Sequence, residues 1–431
     1  MQIQRTYVCD AASNTEPEIL VRGWVHKIHD LGKITFVHLR DKTGIIQLVF
    51  TEGKPEHLRL EMSIEAKGKK VENPKAPGGL EIVVEKMNVI GKAYYDKLPF
   101  EINSGKMKAS LETQLDHRTI TLRMPKVRAI FRVQEVITDA FRTYLTAQRF
   151  SEIHTPKIIS SATEGGSEVF TVNYFEKRAF LSQSPQFYKQ MTVGAGFERV
   201  FEIGHAYRAE LHNTWRHLNE YVSLDVEMGF IKDETDLMDL EEGFLKFLFE
   251  QLNKNCKKEL EMYNVELPVI TRIPRMTLSY AHEVLLDKFG KKSPAGNIDA
   301  EGEVLLSKYV KEKYDSDFVF LTAYPVTKRP MYTMPSEEDA SLTKSFDLIY
   351  KGLEITTGGQ RIHDYEQLRD NISMFGMNPD DFGFYLESFR YGMPPHGGLA
   401  IGLERLTMKI LDLENIRQST LYPRDMNRIE P

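Results

Sequence analysis

Residues 201–230 read FEIGHAYRAELHNTWRHLNEYVSLDVEMGF, two strand-like runs around a charged loop. The second run, Glu220–Phe230, places Tyr221, Ser223, Asp225 and Glu227 on one face and Val222, Leu224, Val226 and Met228 on the other. That is the period-two alternation of a half-buried strand. The first run, Phe201–Glu210, alternates less strictly and ends in Arg208-Ala209-Glu210. Two arginines (Arg208, Arg216) and two histidines (His212, His217) crowd the loop end of this hairpin. Such charges are ordinary on a surface loop. Arg208 and Glu210, however, share a strand face at i, i+2, and set a guanidinium fork for a phosphate beside a carboxylate for an amine. That pairing suits a nucleoside triphosphate.

Working outward, 431 residues predict two or more domains. An apolar fraction of 41% with 27% charged residues is that of a soluble globular protein. No apolar run is long enough to cross a bilayer, and no membrane partner is expected. The opening MQIQRTYVCD has no apolar h-region, so secretion is not expected. Cys9 and Cys256 are the only cysteines; they lack zinc-site spacing and leave little scope for disulfides. A cytoplasmic location fits. The net charge of −6 means that any nucleic-acid contact must use local basic patches.

From Glu18 to Ile90 short strands alternate with turns. Ile19–Ile28, Ile34–Arg40 and Ile45–Phe50 read as three strands, the last two joined by Asp41-Lys42-Thr43-Gly44. Pro55–Leu60 is expected as a short helix. Two more strands follow, near 62–71 and 80–90, around the Pro/Gly-rich stretch 73–79. Five strands with a helix after the third suggest an OB-type barrel, which binds single-stranded nucleic acid by stacking and edge hydrogen bonds. Arg22, His26, Phe36, His38 and Gln47 are the candidates for that face. Phe36 alternates out of phase with Val37 and Leu39, so base stacking competes evenly with a core position.

Residues 104–125 are expected as a linker or hinge between a 1–103 barrel domain and a 126–431 catalytic domain. Lys126–Arg149 carries apolar residues at helical spacing. Ser151–Ile159 is strand-like but contains Pro156, which belongs at an edge or bulge. That edge either pairs with a second copy of the chain or is simply protected by the proline. The glycine loop Thr163–Ser167 lacks a Walker lysine, and no G-x-G-x-x-G follows, so an ATP site of another kind is required. A helix is expected to begin at Gln183-Ser184-Pro185-Gln186 and to carry Lys189. An amphipathic helix at 233–255 and a mixed stretch at 257–343 without obvious chemistry read together as an insertion, about 233–343.

Chemistry returns near the C-terminus. Phe346–Gly352 and Leu353–Thr357 read as a strand pair, on which Glu354 is a lone carboxylate among apolar neighbours. It needs a cation: either Mg²⁺ on substrate phosphates, with Thr357 as a neutral oxygen ligand, or a lysine or arginine. Arg390–Leu406 is a proline–glycine turn that runs into Gly402-Leu403-Glu404-Arg405. Its glycines let backbone approach a flat ligand, with Arg405 at a helix start.

In order and spacing these stretches resemble the three motifs of class II aminoacyl-tRNA synthetases: Pro156 after the long helix, Arg208-Ala209-Glu210 with its loop, and Gly402-Leu403-Glu404-Arg405. TEGGSEVF, QSPQFYKQ, YRAELHNTWRHLNE, GGQR and GMPPHGG are similar to the compact archaeal- and eukaryotic-type aspartyl-tRNA synthetases across essentially the whole chain. The resemblance implies an α+β fold: an N-terminal OB barrel ahead of a six-stranded antiparallel sheet flanked by helices, in a homodimer. It implies that ATP is held by Arg208 at the α-phosphate and Arg405 at the γ-phosphate. Ala209, Glu210, Arg216, His217, Leu218, Gly402, Leu403 and Glu404 would surround it, and Glu354 and Thr357 would hold Mg²⁺. The family more often has serine where Thr357 stands. Glu164 and Gln186 would engage the amino acid's ammonium, while Lys189 and Arg361 clamp its side-chain carboxylate.

Activation needs no general base, because the substrate carboxylate is itself the nucleophile. L-Aspartate is the expected substrate; asparagine would set an amide NH₂ against Lys189. Asparaginyl relatives read PHAG rather than PPHGG. Phe36 and Gln47 match family positions that stack on and read the middle anticodon base. Members restricted to the aspartate tRNA tend to carry Trp at the position of His26 and Lys at that of Pro77, whereas relaxed members tend to carry His and Pro. Use of both tRNA(Asp) and tRNA(Asn) is therefore expected, with an amidotransferase acting downstream. The alternatives are an asparaginyl enzyme, a tRNA-independent aspartate-amidating paralogue, and a non-catalytic tRNA-binding paralogue.

Overall fold

The computed structural model describes residues 4–103, 107–161, 168–211 and 214–431. The chain divides into two compact units, Met1–Ser110 and Leu111–Pro431.

The first unit is a closed barrel of β1 (Glu18–Asp30), β2 (Thr35–Arg40), β3 (Ile45–Phe50), β4 (Ser63–Glu72) and β5 (Leu80–Gly91), in the order β1-β2-β3-β5-β4. All pairings are antiparallel except β3 with β5. Alternate residues fill the interior, among them Ile19, Val21, Val37, Leu39, Ile46, Leu48, Ile64 and Ile82. The expected helix at 55–60 is instead a run of turns. His57 there takes a φ of 63°, which breaks helical geometry.

In the second unit α1 (Leu111–Asp116) and α2 (Arg118–Thr121) occupy part of the stretch read as a linker. They are too short to show helical periodicity in sequence. Buried Arg118 fixes them by donating to the carbonyls of Gln418, Thr420 and Leu421. The long helix α3 (Pro125–Ala147) stops short of Arg149, whose φ is 66°. Next come β6 (Ser151–Glu152), β7 (Ile158–Ile159), β8 (Thr171–Tyr174), β9 (Lys177–Leu181) and α4 (Gln186–Thr192). The hairpin of β10 (Arg199–Tyr207) and β11 (Glu220–Gly229) pairs in unbroken register from Arg199↔Met228 to Tyr207↔Glu220. Pro156 stands where the chain crosses from β6, on β10's edge, to the small β7-β9-β8 sheet.

The stretch read as an insertion supplies α5 (Thr235–Asn255), α6 (Lys257–Tyr263), β12 (Arg275–Thr277), α7 (Leu278–Phe289), α8 (Ala300–Tyr314) and β13 (Phe318–Thr322). After it come β14 (Ser345–Tyr350), β15 (Leu353–Arg361), α9 (Tyr365–Met374), α10 (Gly383–Leu386), β16 (His396–Gly402) and α11 (Leu403–Ile410). The main sheet has eight strands in the order β12-β13-β14-β15-β16-β11-β10-β6. The six antiparallel strands expected, β13 to β10, are extended at each edge by one short parallel strand.

One face of this sheet packs on α3 and α5. Phe201, Leu224, Val226, Phe346, Leu348, Leu399 and Ile401 share a core with Ile130, Ile137, Phe141, Phe244 and Leu248. Phe141 sits edge-on to Phe201 at 5.7 Å and to Phe244 at 5.2 Å. Phe141→Ala is expected to cost the second unit about 3–5 kcal/mol. Urea unfolding should show its transition midpoint lowered with the barrel's transition unmoved.

Candidate active site

The sheet face opposite α3 and α5 is built by register. Asp225 of β11 lies across from Ala400 of β16, which lies across from Thr357 of β15, which in turn opposes Asp347 of β14. One step along, Glu227, Gly398, Gly359 and Ser345 repeat the row. Polar groups thus flank a floor made of glycine and alanine, while Leu399 and Ile401 between them point into the core. A side chain at Gly398 would collide with the Glu227 carboxylate and the Val226 carbonyl. Nothing larger than glycine fits there.

Above this floor one cleft is lined by groups from three of the stretches singled out in sequence. Arg208, Glu210, Arg216, His217 and Leu218 come from the β10–β11 turn, Glu354 and Thr357 from β15, and Gly402, Glu404 and Arg405 from the β16–α11 junction. Tyr221 lines it too, with the Arg208 guanidinium 5.8 Å from its ring centre. Ala209 and Leu403 are not among its lining residues: Ala209 N–H donates to Glu168 O at 2.8 Å, and Leu403 is in the core. Glu210 and His217 approach to 3.5 Å.

Glu354 and Thr357 meet because of a bulge. The β14–β15 register shifts between Leu348 and Ile349, so residues three apart share a face, and Thr357 Oγ1 donates to Glu354 Oε1 at 3.1 Å. Arg405 Nη1 donates to the Glu354 carbonyl at 3.0 Å and lies 3.6 Å from its carboxylate. Burial works to raise the Glu354 carboxyl, but Arg405, Arg329 and Arg216 outweigh it and hold it below the ordinary value. Glu354's cation in this structure is therefore an arginine. Its carboxylate, the Thr357 hydroxyl and nearby Asp347 nevertheless form the all-oxygen set that a phosphate-bound Mg²⁺ accepts. Among the described residues no cluster of three acidic, histidine or cysteine side chains could hold a metal alone, so phosphate oxygens and water would complete the shell.

A second group lies deeper. Lys189 of α4 reaches Asp225 at 3.0 Å and Glu227 at 3.3 Å, and Arg361 at the end of β15 reaches Glu227 at 3.0 Å. All four side chains are buried. Burial pushes Glu227 up, but Arg361 and Lys189 hold it below the ordinary carboxylate range. Both expected substrate cations are thus already paired with internal carboxylates. Asp225 and Glu227 were legible as one strand face but carried no assigned role. Buried Gln186 accepts from Arg361 at 3.4 Å and its amide nitrogen has no partner among the described residues, leaving it a donor for a ligand. His396 of the PPHGG run is neutral: burial lowers it to about 4, and Nδ1–H donates to Pro394 O. Glu164 lies outside the described residues.

On the barrel, Phe36 and His38 face outward and Gln47 opposes His38 in register, donating to Glu81 at 2.8 Å. Arg22 is exposed and paired with Glu65 at 2.6 Å. Pro77 opens a short 3₁₀ turn. His26 departs from expectation. A bulge between Val25 and Lys27 turns it inward, where it is 8% exposed and its Nδ1 accepts from Arg40 at 2.7 Å. Arg40 in turn reaches Glu61 at 2.7 Å. Burial lowers His26 to about 4, with Arg40 adding to the effect, so the imidazole is neutral and offers Nε2–H alone, not two open edges.

A sheet of this topology with such a cleft defines a class II synthetase catalytic unit. The chain belongs to the class II tRNA synthetases of the D, K and N group, whose family model matches residues 110–426, with an OB-fold nucleic acid binding domain at 19–90. It is a ligase that forms aminoacyl-tRNA. The aspartate–tRNA(Asp/Asn) ligase of Aeropyrum pernix is 46% identical over 96% of this chain and 95% of its own. That of Thermus thermophilus is 47% identical over 99% and 100%. Relatives named aspartate–tRNA(Asp) ligase, from three Pyrococcus species, match at 43–45% identity. Among solved structures, the asparaginyl-tRNA synthetase of Pyrococcus horikoshii with asparaginyl-adenylate superposes with a TM-score of 0.91 at 31% identity, all of each chain covered.

Glu404 shows how the cleft is held. Both its oxygens accept from Val222 N–H at 3.1 Å, tying α11 to β11, and burial raises its carboxyl from 4.5 to about 8. The folded state therefore keeps a proton that the unfolded chain releases, and stability falls as pH rises from about 4.5 to 8. Glu404→Gln keeps an acceptor for Val222. The variant is expected to lose that slope, gaining on the parent progressively between pH 5 and 8 in urea midpoints; an unchanged slope would refute the assignment.

Proposed function

We propose that this chain activates L-aspartate with ATP, releasing pyrophosphate, and transfers the aspartyl group from the adenylate to tRNA(Asp) and to tRNA(Asn). The observation that carries the reading is the juxtaposition on one sheet face of an arginine-lined cleft with the buried charged cluster that holds Lys189 and Arg361. In this reading Arg208 bears on the α-phosphate, where charge develops in the pentacoordinate transition state, and Arg405 and Arg216 on the departing pyrophosphate. The α-carboxylate of aspartate attacks directly, so positioning replaces a general base. Gln186 and Glu164 orient the amino acid. Mg²⁺, when held by Glu354 and Thr357, neutralises phosphate charge. A side-chain carboxylate can take hydrogen bonds from Lys189 and Arg361, whereas the amide of asparagine turns one donor against another.

The two-tRNA reading is supported by the relatives named for both tRNAs and by the residue types at 26 and 77, although the imidazole of His26 itself is turned inward against Arg40. It implies an amidotransferase acting downstream on Asp-tRNA(Asn); this chain itself is read as a cytoplasmic homodimer. Charging with [¹⁴C]aspartate, offered separately to the two tRNAs, is expected to proceed with both at comparable rates. Charging of tRNA(Asp) alone would discard the relaxed specificity and keep the enzyme. Charging of neither, with ATP–pyrophosphate exchange intact, would point to tRNA-independent amidation, and exchange with asparagine alone to the asparaginyl enzyme.

Glu354→Gln preserves the Thr357 hydrogen bond but removes the charge. It is expected to raise the Mg²⁺ concentration needed for half-maximal exchange about tenfold, the scale of losing one charged ligand contact. An unchanged Mg²⁺ requirement would remove Glu354 from the metal's shell.

A further inference from the structure

The helix α8, in a stretch whose sequence carries no recognisable chemistry, delivers one carboxylate to two of the residues that line the cleft. Glu303 lies in its first turn, is 5% exposed, and makes two contacts. Its Oε1 accepts from Arg216 Nη2 at 2.9 Å, and its Oε2 accepts from the backbone N–H of Glu354 at 3.1 Å. One side chain thus ties the guanidinium of the β10–β11 loop to a strand residue that lines the cleft. Among the described residues Arg216 Nε has no partner although it is buried, so the fork has donor capacity that Glu303 leaves unused.

We propose that Glu303 is a positioning residue for ATP: it orients Arg216 from behind so that the rest of the guanidinium meets the polyphosphate, and it locks that orientation to Glu354. The inference rests on the ATP-dependent reading of the cleft. A contrary role, in which Glu303 withholds Arg216 until ATP pulls it away, is disfavoured by burial. Removing the guanidinium would strand a carboxylate out of water, the costly half of any broken buried pair. Keeping the bond while a phosphate takes the remaining donors costs nothing of the kind, and a guanidinium with five donors can serve both.

Glu303→Gln keeps the shape and one acceptor but loses the charge and one of the two contacts. In ATP–pyrophosphate exchange it is expected to raise KM for ATP about tenfold, with kcat and KM for aspartate within about twofold. In an Arg216→Ala background the same change should add less than about twofold, since the pair acts as a unit. An unchanged KM for ATP would overturn the proposal, and a lowered one would establish the withholding role instead. A full tenfold effect persisting without Arg216 would also overturn it, by showing that Glu303 acts through α8 or Glu354 alone. Should Glu303→Gln fold poorly, Glu303→Asp keeps the charge, misplaces it, and is expected to shift KM the same way. Absence of aspartate-dependent exchange in the parent would sink the functional reading alone, because calorimetric titration of parent and variant with ATP–Mg²⁺ makes the same comparison without an amino acid.

Discussion

Glu227 is buried completely between two cations that come from different parts of the chain, Lys189 on α4 and Arg361 at the end of β15. A carboxylate in that position is tolerable only while both partners stay; removing one from a buried pair costs about 3–5 kcal/mol. The constraint propagates. Gly398 must remain glycine to let β16 pass beneath the carboxylate, and α4 must stay docked for Lys189 to reach it. The three central strands β11, β16 and β15 are held in one register by the same cluster. The floor of the cleft and the strands beneath it therefore depend on one set of charges.

The cleft divides its labour by rigidity. Most of the charged groups that line it come from the ends of strands and the start of a helix, where backbone pairing fixes the chain. The loop arginine, Arg216, is the exception, and it is fixed instead by Glu303. Glu404, at the edge of the cleft, and Glu241, on α5, serve as buried neutral acids. Burial raises each to about 8, and each accepts a hydrogen bond that joins two layers, Val222 N–H in one case and the Thr356 hydroxyl at 2.5 Å in the other. They stabilise the scaffold that the charged groups require.

Two β-bulges separate what could be read from sequence and what could not. Alternation alone puts Glu354 and Thr357 on opposite faces; the bulge after Leu348 brings them to 3.1 Å. Alternation also puts His26 on a face with Arg22, yet the bulge at 25–27 buries it against Arg40. A bulge has no compositional signature strong enough to be seen in one sequence, because it depends on the partner strand's register. Glu303 was hidden for a related reason. Its helix carries no motif, and its significance lies wholly in the two distant residues it touches.

By itself the sequence determined the barrel's five strands, the β10–β11 hairpin with its arginine-bearing turn, the long helix Pro125–Ala147, and the residue types that come to line the cleft. These are local matters of alternation, turn chemistry and spacing, which neighbouring residues specify. Only the tertiary structure decided that the supposed insertion adds β12 and β13 to the main sheet, that Lys189 and Arg361 arrive already paired, and that Arg216 is backed by a carboxylate from α8. Those outcomes turn on where buried charges find their counter-charges. A buried charge is settled by whichever group lies within a few ångströms after folding, across separations of tens to hundreds of residues that no local pattern encodes.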